Sequence, residues 1–123
     1  MRSRTLSLKI RDSVFGPNAR VREVGVKKAE SDRPLYRVYL FLEGPDLPFV
    51  ESVTYRLHPT FQVRNRTVRR SPSNPGCELK IWTWGVFEIE VRVKDRSGVI
   101  HRFRHDLTYD QELSGSAYEI RKM

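Results

Sequence analysis

Cysteine and histidine are the residue types in this chain best suited to nucleophilic chemistry. Cys77, with His58, His101 or His105 as its base, would supply the parts of a thiol nucleophile. Cys77 comes just before an apolar, strand-like run, however, where a buried and inert thiol is the more common situation. The sequence therefore predicts no catalytic cysteine.

Two of the histidines have a spacing that would suit a metal site on a helix. His101 and His105 lie four residues apart, but in a strand this spacing separates them by about 13 Å, too far to share one ion. The chain also lacks a glycine loop for phosphate and a pair of carboxylates in an apolar setting. We therefore expect no catalytic residue, no metal and no cofactor, and predict a binding protein rather than an enzyme.

Two short motifs place aromatic rings beside a hydroxyl group or a glycine. Leu57–Phe61 (LHPTF) ends one strand-like segment, and Trp82–Phe87 (WTWGVF) precedes the strongest one. In a β-sandwich, loops at one end gather into a rim, so residues distant in sequence can form one site. These motifs are the candidate binding residues.

The elements that would position these motifs are short strands. Ile89, Val91 and Val93 alternate with charged residues, and Asp95–Gly98 fits a four-residue hairpin loop before the return strand over 99–109. Seven or eight such segments, and no convincing helical pattern, predict an all-β, immunoglobulin-like β-sandwich of two antiparallel sheets. Residues 1–110 form the expected domain and residues 111–123 a tail or linker. The basic segment 64–75 is predicted to be a long exposed loop.

Composition limits the function further. The 123 residues suit one domain, the single cysteine excludes an intrachain disulfide, and no apolar run reaches the length of a membrane span. We therefore expect a cytoplasmic protein whose domain makes no membrane contact. The net charge of +8 favours anionic partners and opposes basic peptides.

The two motifs, in their order and spacing, resemble the YEATS domain family. That family typically shows Leu-His-Pro-Ser/Thr-Phe at a strand end, a basic loop, and Gly-Trp-Gly-x-Phe before an alternating strand. Here the first motif matches in full, and the second matches at Trp84, Gly85 and Phe87, with Thr83 in place of the usual glycine. The Pro-Thr-Phe form and the arginine-rich composition resemble the prokaryotic branch.

The resemblance implies a reader of acylated lysine, and it assigns a role to each motif residue. Phe61 and Trp84 would sandwich the flat amide, and Thr60 would offer it a hydroxyl. His58 would orient Thr60, and the backbone of Trp84 and Gly85 would bind the acyl carbonyl. Thr83 lies in the same loop as Gly85, and Phe87 would support the site from the strand below. It also implies a prokaryotic conflict or defence system, with fusion to or pairing with an effector.

The sequence departs from the family at the third aromatic wall. The loop before the central strand, residues 27–34 (KKAESDRP), contains no aromatic residue, and Tyr36 is the nearest substitute. A site open on that side would bind an acylated-lysine peptide weakly.

Two other hypotheses stay open. A basic nucleic-acid-binding domain would use Arg64, Arg66, Arg69 and Arg70, which can neutralise several phosphates. This partner is less favoured, because no aromatic residues interleave with the arginines to stack on bases. A purely structural or interaction module, with a vestigial pocket, is the third hypothesis.

Overall fold

A computed structural model describes residues 6–16, 22–28, 33–115 and 117–123. The elements in that part of the chain are β1 (Lys9–Ser13), β2 (Glu23–Lys28), β3 (Pro34–Glu43), β4 (Val50–Arg56), β5 (Asn65–Arg69), β6 (Leu79–Thr83), β7 (Glu88–Asp95), β8 (Ile100–Asp106), α1 (Tyr109–Gly115) and β9 (Glu119–Lys122). A single 3-10 turn, Leu47–Phe49, precedes β4. The short helix apart, the described chain is built from strands, as the alternation predicts.

The strands form two sheets. In the first sheet, β3 is the central strand and pairs antiparallel with β1, β2 and β6, while β9 joins β2 in parallel. The second sheet has the order β5-β4-β7-β8 and is antiparallel throughout. The all-β, two-sheet sandwich is confirmed, with one parallel pair as an exception to the expected antiparallel arrangement.

The core lies between the sheets and is filled by alternate residues of their central strands. Val38 and Leu40 point inward from β3, and Val53 and Tyr55 from β4, all with no measurable exposure. The Tyr55 hydroxyl donates a hydrogen bond to the Cys77 carbonyl at 2.7 Å, so the buried phenol has its partner. Burial raises the pKa of Tyr55 well above its usual value and keeps it protonated.

The predicted hairpin is confirmed, but its return strand ends at Asp106, and Tyr109 begins α1 instead of continuing the strand. Strands β7 and β8 pair antiparallel with Val91 opposite Phe103, and Ile89, Val91 and Val93 are fully buried. Gly98 has a φ of +87° in the connecting loop, a conformation that glycine adopts without steric cost.

Two segments form structure that the sequence did not predict. Asn65–Arg69, within the expected exposed loop, is strand β5 and pairs with β4, so the loop prediction is wrong there. Backbone hydrogen bonds to β4 stabilise this strand. Its inward and outward positions alternate around Val68, but because arginines occupy both kinds of position, the sequence shows no apolar alternation. The expected tail contains α1 and β9, which are stabilised by contacts with distant parts of the chain. No helix in the described part of the chain is both long and apolar enough to cross a membrane.

One buried carboxylate connects the start of the chain to α1. Asp12 on β1 accepts hydrogen bonds from the Thr108 and Tyr109 backbone N–H groups at 2.9 and 2.8 Å and from the Thr108 hydroxyl at 3.1 Å. His105 Nε2 lies 2.6 Å from the same carboxylate. Because the Asp12 side chain is fully buried, these donors replace the water that it has lost.

Replacing Asp12 with alanine should destabilise the fold by about 1–3 kcal/mol, since the Tyr109 N–H would be left buried without an acceptor. Urea unfolding would measure this loss. The matched control is Arg11→Ala, one residue earlier, which removes an exposed ion pair with Glu43 and should cost about 0–1 kcal/mol. Similar losses in the two variants would show that Asp12 has no special structural role.

Candidate functional site

The two sequence motifs meet at one end of the sandwich. Arg56, the last residue of β4, pairs with Glu90 near the start of β7, so the loop after β4 lies beside the loop before β7. Between these loops lies a groove of about 350 Å³. All seven predicted ligand-binding residues line it, together with four others; the full set is Leu35, His58, Thr60, Phe61, Gln62, Trp82, Thr83, Trp84, Gly85, Val86 and Phe87.

The hydroxyl group of Thr60 is oriented by its histidine neighbour. His58 Nδ1 lies 2.8 Å from Thr60 Oγ1 and 3.2 Å from the Thr60 backbone nitrogen. The backbone N–H can only donate, so Nδ1 is the acceptor and the imidazole carries its proton on Nε2. The Thr60 hydroxyl then donates to Nδ1 as well, which leaves its oxygen lone pairs to accept a hydrogen bond from a ligand.

Phe87 supports the groove from behind. Its ring centroid lies 5.5 Å from that of His58 and 5.7 Å from that of Phe61, both in tilted arrangements. Such aromatic pairs are favourable beyond the area that they bury. Phe61 is half-buried, whereas Trp84 is 57% exposed and presents most of its indole to solvent.

Neither Tyr36 nor the described part of the loop before β3 adds a third aromatic ring to the groove. Tyr36 points inward from β3 and packs against Tyr109 with ring centroids 6.2 Å apart, and it does not line the groove. The Arg33 guanidinium instead lies 4.6 Å from the centroid of the Trp84 ring. Arg33 is not among the residues that line the groove, and the distance lies within the range of cation–π attraction.

Tyr109 holds the Gly85 loop, a role that the sequence did not reveal. The Gly85 carbonyl accepts hydrogen bonds from the Tyr109 hydroxyl at 2.9 Å and from Thr83 Oγ1 at 3.1 Å. Burial raises the pKa of Tyr109 to about 12, so the hydroxyl remains a donor at neutral pH. The sequence placed Tyr109 at the end of the predicted strand 99–109, and its distance from Gly85 in sequence gave no sign of this contact.

Among the residues that the structure describes, the groove has no charged wall. None of its eleven lining residues there is Asp, Glu, Lys or Arg. Its walls are mostly apolar, with polar groups at Thr60, Gln62 and Thr83. Such a groove suits a neutral ligand with a hydrogen-bonding group.

The four candidate nucleic-acid-binding arginines do not form one cluster. Along β5, Arg66 and Arg69 fall on opposite faces. Three of the four donate their Nε–H to backbone carbonyls: Arg64 to Leu57, Arg66 to Val63 and Arg70 to Pro75. Arg69 is the most exposed, and it lies 3.9 Å from Glu51. The structure thus places Arg69 and Arg70 at one surface pocket, which Glu51 also lines, but does not bring all four arginines together.

The nucleophilic and metal-binding candidates lie outside the groove, except His58. Cys77 is fully buried, and burial raises its pKa to about 11, so the reactive thiolate is suppressed. His101 lies 2.8 Å from Asp95, and His105 contacts Asp12, so each half-buried histidine has its own carboxylate partner.

Fold and groove together define a small β-sandwich module with a binding rim. The family model of the prokaryotic YEATS domain matches residues 36–108, more than half of the chain. This protein belongs to the prokaryotic YEATS domain family.

Individual relatives agree with this assignment. Transcription initiation factor TFIID subunit 14 of Schizosaccharomyces pombe is 44% identical over 72 residues, which is 57% of this chain and 28% of that protein. The Yaf9 YEATS domain recognising an H3K122suc peptide is 23% identical with a TM-score of 0.55, over 92% of this chain and 81% of that one. The same domain bound to H3K27ac is 24% identical with a TM-score of 0.52, over 88% and 77%. The two solved structures show the shared fold.

Replacing Tyr109 with phenylalanine should remove one donor from the Gly85 carbonyl and cost about 0.5–1.5 kcal/mol in unfolding free energy. The amide resonance of Val86 should shift in ¹⁵N NMR spectra, because its N–H belongs to the same peptide group. Tyr118→Phe is the control, since the Tyr118 hydroxyl donates to no residue that the structure describes. An unmoved Val86 resonance in a folded Tyr109 variant would contradict the contact.

Proposed function

We propose that this domain is a non-enzymatic reader of acylated lysine, which it binds in the groove between the Phe61 and Trp84 loops. The observation that carries the proposal is the Thr60 hydroxyl, fixed by His58 as an acceptor beside two aromatic side chains. An acyl-lysine presents a flat amide on an apolar stem, and acylation has removed the charge of the lysine. The ring faces suit the amide plane, and Thr60 suits the amide N–H.

The charge of the site favours acylated over unmodified or methylated lysine. A lysine ammonium in this groove would lose water without meeting a carboxylate from any described lining residue. Aromatic cages for methyl-lysine attract a cation to an open ring face, but Arg33 already stacks on Trp84. A second cation at the same indole would be repelled. A neutral amide avoids both the loss of hydration of a charge and the repulsion by Arg33.

The acyl carbonyl needs a donor from the Trp84–Gly85 backbone. The Gly85 N–H is already directed at Thr83 Oγ1, although at a long distance of 3.4 Å. We therefore assign the carbonyl to the Trp84 N–H. The acyl tip would then extend past Gly85, where an added Cβ would meet nothing within 4 Å.

The relatives support a reader rather than an enzyme. The Yaf9 structures describe complexes with the acylated histone peptides H3K122suc and H3K27ac. For this chain, the net charge of +8 opposes a lysine-rich histone tail. We propose a less basic acylated protein as the partner, with the domain as the sensor part of a prokaryotic conflict or defence system.

Binding of an acetyl- or crotonyl-lysine peptide, measured by isothermal titration calorimetry, should exceed that of the same unmodified peptide. Trp84→Ala should abolish it, since the stacked face contributes about 1 kcal/mol or more beyond its buried area. Phe49→Ala is the matched control, because Phe49 is 54% exposed at the opposite end of β4. Equal binding of both peptides would refute the proposal.

The contribution of the Thr60 hydroxyl group to binding can be tested separately from that of the volume of the side chain. Thr60→Val keeps the volume and should weaken acyl-peptide binding by about 1–3 kcal/mol, because the ligand N–H would be buried without an acceptor. Thr60→Ser retains the hydroxyl and should bind within a few-fold of the wild type. If valine and serine behave alike, Thr60 does not contact the amide.

Gly85 sets the room for the acyl chain. Gly85→Ala should leave the unfolding free energy within about 0.5 kcal/mol, since the added methyl meets no atom. Affinity for the crotonyl peptide should fall more than that for the acetyl peptide, because the longer chain extends past this residue. Equal losses for both peptides would place the acyl tip elsewhere.

A further inference from the structure

The outer face of the first sheet combines aromatic rings and cations outside the groove proper. Because Val38 and Leu40 point into the core, Arg37 and Tyr39 point outward from β3. On β6, Trp82 is opposite Arg37 and Lys80 is opposite Tyr39, so both also point outward. We call this surface the outer face; it consists of Lys27, Leu35, Arg37, Tyr39, Phe41, Lys80 and Trp82.

Cations stack on two of its rings. Lys27 Nζ lies 4.4 Å from the centroid of Trp82. The Arg37 guanidinium and Lys80 Nζ lie 5.4 and 5.7 Å from the centroid of Tyr39. These distances fall within the range of cation–π attraction, so rings and positive charges alternate across three strands.

The cations of the outer face lack acidic partners among the residues that the structure describes. Lys27, Arg37 and Lys80 form no ion pair there, and Arg37 Nε is buried without a hydrogen-bond partner. At the borders of the sheet the situation differs: Arg11 pairs with Glu43 at 2.8 Å, and Arg121 with Glu23 at 3.5 Å. Within the described residues, the centre of the sheet therefore has an uncompensated positive charge.

We infer that the outer face binds single-stranded nucleic acid, with bases stacked on Trp82 and Tyr39 and phosphates paired with Lys27, Arg37 and Lys80. Sheet faces that bind single strands combine aromatic platforms with a cationic track in this way. Trp82 and Tyr39 are diagonal neighbours on adjacent strands, a position at which residues lie about 7–8 Å apart, so an extended nucleic-acid strand can present one base to each ring. An acidic peptide would use the charges but leave the rings without a role.

This inference does not depend on the proposed reader function, although the two surfaces touch. Trp82 and Leu35 belong to the outer face and also line the groove. Ligand entry would require Lys27 to move from the Trp82 ring, and Lys80 from the Tyr39 ring, to a phosphate, which the flexible lysine stems allow. The arginines of β5 have no part in it.

Fluorescence anisotropy with a labelled poly(dT) or poly(U) oligonucleotide of about ten nucleotides tests the charges. Affinity should fall steeply with salt, and Lys27→Glu with Lys80→Glu should weaken binding at least tenfold and reduce the logarithmic salt slope by about 1.4. The matched control is Arg102→Glu with Arg104→Glu, which makes the same charge change on exposed residues of the second sheet. Equal losses in both double variants, or no binding at low salt, would overturn the inference.

The stacking is tested through Trp82 itself. The chain has two tryptophans, so Trp84→Phe leaves Trp82 as the only indole reporter. Oligonucleotide should quench its fluorescence, and Trp82→Leu should lower affinity without changing the salt slope.

Heparin, which has no bases, should bind more weakly and leave Trp82 unquenched. If heparin matches the oligonucleotide, the surface binds polyanions in general and the inference fails; comparing poly(dT) with poly(U) distinguishes DNA from RNA.

Discussion

The groove depends on a buried carboxylate far from it in sequence. Asp12 holds Thr108 and Tyr109 at the start of α1, and from there the Tyr109 hydroxyl reaches the Gly85 carbonyl. A carboxylate without water is costly unless each of its oxygens has donors, and here backbone, hydroxyl and imidazole groups supply them. The first strand, the end of β8 and the rim loop are thereby held in one arrangement.

That arrangement gives the rim a polarity suited to an uncharged amide. His58 Nδ1 accepts hydrogen bonds from the backbone N–H and from the hydroxyl group of Thr60. The hydroxyl proton is therefore directed at Nδ1, and the lone pairs of the hydroxyl oxygen can accept from a ligand. The lining residues that the structure describes include no carboxylate, so a charged amine would lose hydration and gain no ion pair from them. Arg33, which stacks on Trp84, adds to this discrimination by repelling a second cation. Selectivity thus arises as much from what the groove lacks as from its aromatic rings.

The sequence predicted the features that depend on local pattern. The alternation through Ile89 and Val91 gave the hairpin, and the two aromatic motifs gave all seven groove residues proposed from them. The prediction from sequence failed for elements that are stabilised by contacts between distant parts of the chain. β5 is held by pairing with β4 despite a polar sequence, and β9 by pairing with β2. The roles of Tyr109 and Arg33 depend on through-space neighbours that no local periodicity reports.

Trp82 relates the two proposed surfaces physically. Its indole borders the groove and is covered on the outer face by Lys27 at 4.4 Å. A ligand on either side changes the contacts available to the same ring. Linkage requires that any effect of one ligand on the affinity for the other be equal in both directions. A base stacked on Trp82 would order the indole for a ligand in the groove, and a groove ligand that orders the indole would present a ready platform for a base. Both effects have the same sign, so the geometry favours positive coupling between an acylated partner and a nucleic-acid strand.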